Sequence, residues 1–173
     1  MNSIIFLLAT CFGAGMSPKA PGTVGSLVAL PLAAAIHLIL GMHALWAATA
    51  IAFFGGWWVT ARYMRISGKI DDPKEVVIDE VAGQWLTLCL MPMLYMNLPP
   101  SYMMWLYSGA FAAFRLFDIV KPWPISVVDR KIHSGFGVMF DDILAALYAA
   151  LLLGVLWHIL SAMNLVMIEL PSV

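Results

Sequence analysis

Charge is what this sequence most lacks. Of its 173 residues only 11% are charged, while 62% are hydrophobic; a soluble domain carries roughly 25% charged residues. A water-soluble fold of this length could not hide so much apolar surface, because about a third of what its unfolded chain exposes must still face water. Nor is there an excess of either sign. The net charge of -1 lacks the basic footprint of a nucleic-acid-binding protein. Cysteine is scarce as well: Cys11 and Cys89 stand in apolar stretches without CxxC or Cys/His spacing and read as buried free thiols. No GxxxxGK[ST] loop occurs. No repeat, low-complexity run or soluble segment interrupts the chain, so residues 1–173 read as a single membrane-embedded domain. Leu7-Leu8-Ala9-Thr10-Cys11 loosely resembles a lipoprotein cleavage box. With no Lys or Arg before it and a very short apolar run, it is not read as a cleaved signal.

What is present is a series of long apolar runs. A transmembrane helix needs about 20 mainly apolar residues, or as few as ~17. Five segments qualify: Val24–Leu40, Ala44–Ala61, Val76–Met96, Tyr102–Phe117 and Ile143–Ser161. Ile4–Phe12 is too short to cross and reads as an interfacial or re-entrant segment. The expected fold is therefore an all-α integral membrane protein of about five transmembrane helices plus that short N-terminal segment. The seven Trp and five Tyr suit an interfacial aromatic belt.

Threading five spans sorts the charges. Lys19, Arg62, Arg65, Lys69, Lys74, Arg115, Lys121, Arg130 and Lys131 all fall on one side, and the intervening connections on the other side carry no Lys or Arg. The positive-inside rule assigns that side to the cytoplasm. The acids follow, although the rule does not require it: Asp71, Asp72, Glu75, Asp79, Glu80, Asp118, Asp129, Asp141 and Asp142 share the same side, and only Glu169 does not. An ion pathway would place polar residues at mid-membrane depth. The span centres offer little beyond His37, Gln84 and Thr87. This disfavours a small transporter and favours a site at the boundary between membrane and cytosol.

Asp79-Glu80 opens the third span and Asp141-Asp142 the fifth. Either pair alone reads most simply as helix capping, which contributes ~0.5–2 kcal/mol. Two adjacent acids at both starts, joined by Asp118 and Asp129, exceed what capping needs and suit Mg²⁺, a hard cation that takes oxygen ligands in near-octahedral geometry. Arg115 and Asp118, three apart, share a helical face; a snorkelling arginine with a paired acid is the plain alternative. Lys121-Pro122-Trp123-Pro124 ends that helix. Ile125–His133 then reads as a short interfacial segment bearing Asp129, Arg130, Lys131 and His133, and Gly135-Phe136-Gly137 as a mobile or tightly turned link to Asp141. Basic residues set between acidic clusters suit a metal-dependent phosphate site; attraction to anionic lipid is the alternative, better fitted to Lys131. The Gly-, Pro-, Ser- and Thr-rich run from Gly13 to Ser26, leading into a helix, can hold an anion on its backbone N–H groups, or can be a plain turn. His37, His43 and His158, without neighbouring carboxylates in sequence, read as structural or interfacial.

Four motifs stand in order: Gly15-Met16-Ser17-Pro18 with Pro21-Gly22-Thr23-Val24-Gly25-Ser26; Asp79-Glu80-Val81-Ala82-Gly83-Gln84-Trp85; Phe114-Arg115-Leu116-Phe117-Asp118 with Lys121-Pro122-Trp123-Pro124-Ile125; and Asp129-Arg130, His133, Gly135, Gly137, Asp141-Asp142. From about Phe12 to the end of the fifth span, the chain resembles the bacterial phosphatidylglycerophosphatase A family. The resemblance implies a Mg²⁺-dependent lipid phosphatase of the bacterial inner membrane that hydrolyses phosphatidylglycerophosphate to phosphatidylglycerol and inorganic phosphate. On that reading Asp79, Glu80, Asp118, Asp141 and Asp142 include the Mg²⁺ ligands and a general base, with Asp129 as a further member. Arg115, Lys121 and Arg130 hold the phosphate, helped by Lys19, Thr23 and Ser26 in the Gly-rich run. His133 protonates the leaving oxygen, histidine being the side chain that changes charge nearest neutral pH. A CDP-alcohol phosphotransferase would also pair membrane helices with cytosolic aspartates and Mg²⁺, but its long signature around a DG–AR core is missing.

Overall fold

A computed structural model of the chain describes residues 3–69, 72–91 and 100–163, with side chains in the last stretch from residue 102. Among these residues the protein is entirely helical: α1 (Ser3–Ala9), a 3-10 turn (Ala14–Met16), α2 (Pro21–Leu40), α3 (Met42–Ser67), α4 (Ile78–Cys89), α5 (Pro100–Val120), α6 (Ile125–Lys131) and α7 (Gly135–Ala162).

Helices α2, α3, α5 and α7 are each long and apolar enough to cross a membrane. Their outer faces carry large, mostly exposed apolar side chains such as Leu38, Ile51, Trp105 and Leu151, which water would not tolerate in such number and lipid would. Four expected spans fall within these helices. The fifth, Val76–Met96, falls on α4, and 92–96 lie outside the described residues. Helix α4 differs in kind from the others. It is packed against α2, α3, α5 and α7, and Asp79, Val81, Ala82, Gly83, Gln84, Thr87, Leu88 and Cys89 are all buried. Protein surrounds its polar groups, which is why a helix carrying them is tolerable at membrane depth.

Small residues allow this central position. Ala110 of α5 is buried in an apolar cluster with Leu88, and Ala113 of α5 with Ala145, Ala146 and Ala149 of α7 in a second around Phe114, the kind of interface that lets membrane helices approach closely. At Gly83 a Cβ would lie 2.6 Å from the Phe114 ring and 3.0 Å from the Asp142 carbonyl oxygen. Trp85 of α4 donates from Nε1 to the Ala29 carbonyl of α2, at 2.8 Å.

The N-terminal segment is the short helix α1. It crosses nothing: Ile5 and Ala9 pack on Val59, Tyr63 and Val76, and the Ala9 carbonyl accepts from the Val77 N–H at 2.9 Å, just before α4. Both cysteines are buried thiols outside any disulfide, as expected, and His37 Nδ1 pairs with the Tyr107 hydroxyl at 3.2 Å.

Two local expectations are corrected. Gly135-Phe136-Gly137 is not a link: α7 starts at Gly135, with Ser134 Oγ accepting from the Gly137 N–H at 3.3 Å as its cap. Asp141 and Asp142 therefore lie inside the helix rather than at its start and do not cap it. Asp79 and Glu80 do sit in the first turn of α4, but no side chain accepts a capping bond there.

Candidate active site

Chain direction brings one set of helix ends together. The starts of α2, α4 and α7 and the ends of α3 and α5 meet at one end of the bundle, with α6 lying there between α5 and α7. Three helix N-termini give this end a positive backbone potential suited to anions. The carboxylates stand inside that frame.

Asp79, Glu80 and Asp142 each direct a carboxylate oxygen to within 4.8 Å of the others. Asp79 is 5% exposed and Asp142 3%. Asp79 Oδ1, Glu80 Oε2 and Asp142 Oδ2 are buried without a hydrogen-bond partner. Two like charges at this spacing repel by ~3–4 kcal/mol at an effective dielectric of 20, so three ionised acids cannot share this volume unaided. Their unspent oxygens fit one small divalent cation that completes its shell with water.

A cation of the protein's own stands beside them. Arg115 Nη1 lies 3.7 Å from Glu80 Oε1 and hydrogen-bonds Asp118 Oδ2, and all three side chains are largely buried. Asp118 also adjoins Asp142. Helix α2 closes the other flank: a Cβ on Gly22 would lie 1.9 Å from Glu80 Oε1 and 3.1 Å from Arg115 Nη1. Any side chain there would occupy the place of the carboxylate, so glycine lets the first turn of α2 lie directly on the site. No side chain caps that turn. Pro21 has no N–H, which leaves those of Gly22 and Thr23 as the free donors.

A second group adjoins the first through Asp141. Lys121 Nζ bridges Asp129 Oδ1 at 2.5 Å and Asp141 Oδ2 at 2.6 Å. Burial alone would lower the lysine, but the two carboxylates outweigh it and raise its pKa. Asp72, Asp129, His133 and Asp141 line a cavity of about 20 Å³ beside this bridge, room for one water and no substrate. The Asp72 carboxyl is pushed up to about 6, by loss of surrounding water and by the acids Asp129, Asp118 and Glu75, with Lys121 opposing.

The expected site residues thus separate by place. Asp79, Glu80, Asp118, Asp142 and Arg115 form one buried centre; Asp129, Asp141 and Lys121 form an ion-paired group next to it. Thr23 is half-buried in the first turn of α2. Ser26 is fully buried and donates its hydroxyl to the Gly22 carbonyl at 2.9 Å, within its own helix. Lys19 is exposed in the preceding turn. Arg130, exposed on α6, donates from Nε to the Ser126 carbonyl at 2.9 Å, and His133 is exposed at the entrance to α7. Two buried polar residues were absent from the expected site. Gln84, one helical turn beyond Glu80 on the same face, has neither amide atom paired, and Thr60 Oγ1 is likewise unpartnered. The i to i+4 spacing to Glu80 was the available signal for Gln84; Thr60 offered none.

The model of the family described as PgpA: Phosphatidylglycerophosphatase A matches residues 7–157, a stretch that contains every residue of the centre. The chain belongs to this family. It is 38% identical to the phosphatidylglycerophosphatase A of Haemophilus influenzae over 147 residues, covering 85% of each chain. It is 35% identical to the protein of that name from Escherichia coli, covering 92% of this chain and 85% of the other. A Bacteroides thetaiotaomicron protein, provisionally named phosphatidylinositol-3-phosphatase, is 37% identical over 86% of this chain and 91% of its own length. No solved structure matches. These phosphatidylglycerophosphatase A relatives bear the name of an enzyme, a phosphatase.

Proposed function

We propose that the chain hydrolyses the terminal phosphomonoester of phosphatidylglycerophosphate, giving phosphatidylglycerol and inorganic phosphate, with Mg²⁺, at the cytoplasmic face of a bacterial inner membrane. The observation that carries the reading is the buried Asp79, Glu80 and Asp142 cluster beside Arg115 in a chain of this family. Family membership also weighs against the transporter and the CDP-alcohol phosphotransferase. The one-sided placement of all Lys and Arg supports the cytoplasmic face, where a phosphate introduced from a cytosolic precursor would lie.

Asp79, Glu80 and Asp142 would hold Mg²⁺, which when bound supplies charge neutralisation at the phosphoryl oxygens and acidifies a water. Arg115, fixed by Asp118, offers its guanidinium to the phosphate and stabilises charge that grows in the transition state. The free N–H groups at the start of α2 face the same volume and add donors that need no reorganisation. A second carboxylate oxygen of the cluster, not the one offered to the cation, takes the proton of the attacking water. His133, on the wall of the small acidic cavity, returns a proton to the departing glycerol oxygen. Lys121 acts at one remove by holding Asp129 and Asp141 in place.

The test is phosphate release by the purified protein from a panel of phosphorylated lipids. The panel includes phosphatidylglycerophosphate and, because of the Bacteroides relative, phosphatidylinositol 3-phosphate. Preferential release from phosphatidylglycerophosphate is expected. Release from the inositol lipid alone would move the reading to that head group, and release from neither would end it.

A further inference from the structure

Outside the carboxylate centre, the same end of the bundle carries a cavity of about 380 Å³ where the end of α3 meets the start of α7. Its lining includes Arg65, Lys69, His133, Ser134 and Gly135. A second cavity of about 270 Å³, lined by Trp58, Ala61, Arg62 and Arg65, adjoins it along α3 and shares Ala61 and Arg65 with it. The floor is rigid: a Cβ on Gly135 would lie 2.5 Å from the Ala61 nitrogen, so α7 begins directly on the α3 backbone.

The charge of this hollow is largely uncompensated. Lys69 is spent on Glu75, which also accepts from the Tyr63 hydroxyl at 2.7 Å. Burial works to raise the Glu75 carboxyl, but these bonds more than offset it and hold it below its usual range. Arg62 and Arg65 have no carboxylate partner among the described residues. The start of α7, where the Ser134 hydroxyl takes up only the Gly137 N–H, adds the positive end of a helix dipole. Trp58, 60% exposed on the outer face of α3, sets the depth, since tryptophan favours the level of lipid head groups. The hollow therefore joins two free guanidinium groups to an apolar wall at the membrane boundary, in the size range of small-ligand sites.

We infer that this cavity is a second anion site, separate from the carboxylate centre, that holds the phosphate of an anionic phospholipid head group from the surrounding bilayer. Arginine suits this role because its planar fork binds phosphate oxygens in pairs. No acid of the Asp79, Glu80 and Asp142 cluster lines the cavity, so the site binds and does not hydrolyse.

The full chain in detergent micelles doped with phosphatidylglycerol or phosphatidylcholine, followed by native mass spectrometry, reads retained lipid directly. Wild type should keep phosphatidylglycerol in preference. The double variant Arg62→Gln, Arg65→Gln should lose that preference by roughly tenfold to thirtyfold, at about 1 kcal/mol per basic residue. Lys74→Gln, a charge change at the same end but outside the cavity, should keep it. Phosphate release from substrate in micelles without phosphatidylglycerol should be unchanged in the double variant. Equal retention in the double variant and wild type would overturn the site, as would equal loss in Lys74→Gln. Displacement of the lipid by inorganic phosphate at equal concentration would make this a free-phosphate site instead. Loss of phosphate release in parallel with lipid retention would make the cavity part of the substrate site.

Discussion

Gly22 is the residue on which the geometry of the centre is tightest. Alanine is the better helix former by ~1 kcal/mol, so Gly22→Ala should leave α2 intact. Its methyl group, however, would meet Glu80 Oε1 at 1.9 Å and push that carboxylate away from Arg115. Turnover should fall by ~10²-fold, the usual cost of an ångström's misplacement, with little change in thermal stability; unchanged turnover would show that Glu80 has room to move. Gln84 makes the opposite case. A buried polar group without a partner costs ~1–3 kcal/mol, and Gln84 is fully buried with both amide atoms unpaired. Gln84→Leu should therefore unfold at an equal or higher temperature while releasing phosphate more slowly. A lower unfolding temperature with full activity would make Gln84 structural. Asp79, Glu80, Asp118, Asp142 and Arg115 were legible because paired acids and an arginine at a span end are costly and so carry information. Gln84 and Thr60 were not, since an amide or hydroxyl in a helix has an ordinary explanation until its burial without a partner is seen.

Among the elements, α4 decides the architecture. Its sequence reads as one more apolar span, because hydropathy measures composition and not what surrounds a helix. Only packing shows that four helices enclose it. At Gly83 it lies hard against the fully buried Phe114 ring and the backbone of α7. Gly83→Ala should destabilise the bundle by ~1–3 kcal/mol through overpacking, read as a lower unfolding temperature in detergent; no change would mean that Phe114 can yield. The start of α7 was misplaced for a related reason. Gly135 and Gly137 suggest a flexible link, yet both are demanded by close approach, to Ala61 and to the Ile132 carbonyl. The short α6 was legible from the prolines before it. It is held to α7 through the Lys121 bridge between Asp129 and Asp141. Lys121→Gln strands the buried Asp141 and should cost on the order of 3 kcal/mol; Asp129→Asn, at the exposed end of the bridge, should cost under ~1 kcal/mol. Equal losses on chemical unfolding would mean that the bridge does not depend on Asp141.

At the scale of the molecule, one end of the bundle is chemically equipped and the other is nearly bare, a division already visible in the sequence. Cysteines introduced as Lys74→Cys and Lys131→Cys should react with an impermeant reagent from one side of the membrane, and His43→Cys from the other. Labelling of the first two from opposite sides would break up the shared site. The clustering itself was not legible: sequence offered Asp118, Asp129 and Asp141 on equal terms with Asp79, Glu80 and Asp142, and only the fold separates the unpaired cluster of Asp79, Glu80 and Asp142 from the ion-paired acids. The most direct measurement is phosphate release from phosphatidylglycerophosphate against Mg²⁺ concentration, for wild type and Asp142→Asn side by side. Wild-type activity should vanish with a chelator and return with Mg²⁺. Asp142→Asn, equally folded, should need at least ~10–100-fold more Mg²⁺ or show no turnover. Chelator-resistant activity in the wild type, or an unchanged Mg²⁺ dependence in Asp142→Asn, would contradict a divalent-cation centre built on Asp79, Glu80 and Asp142.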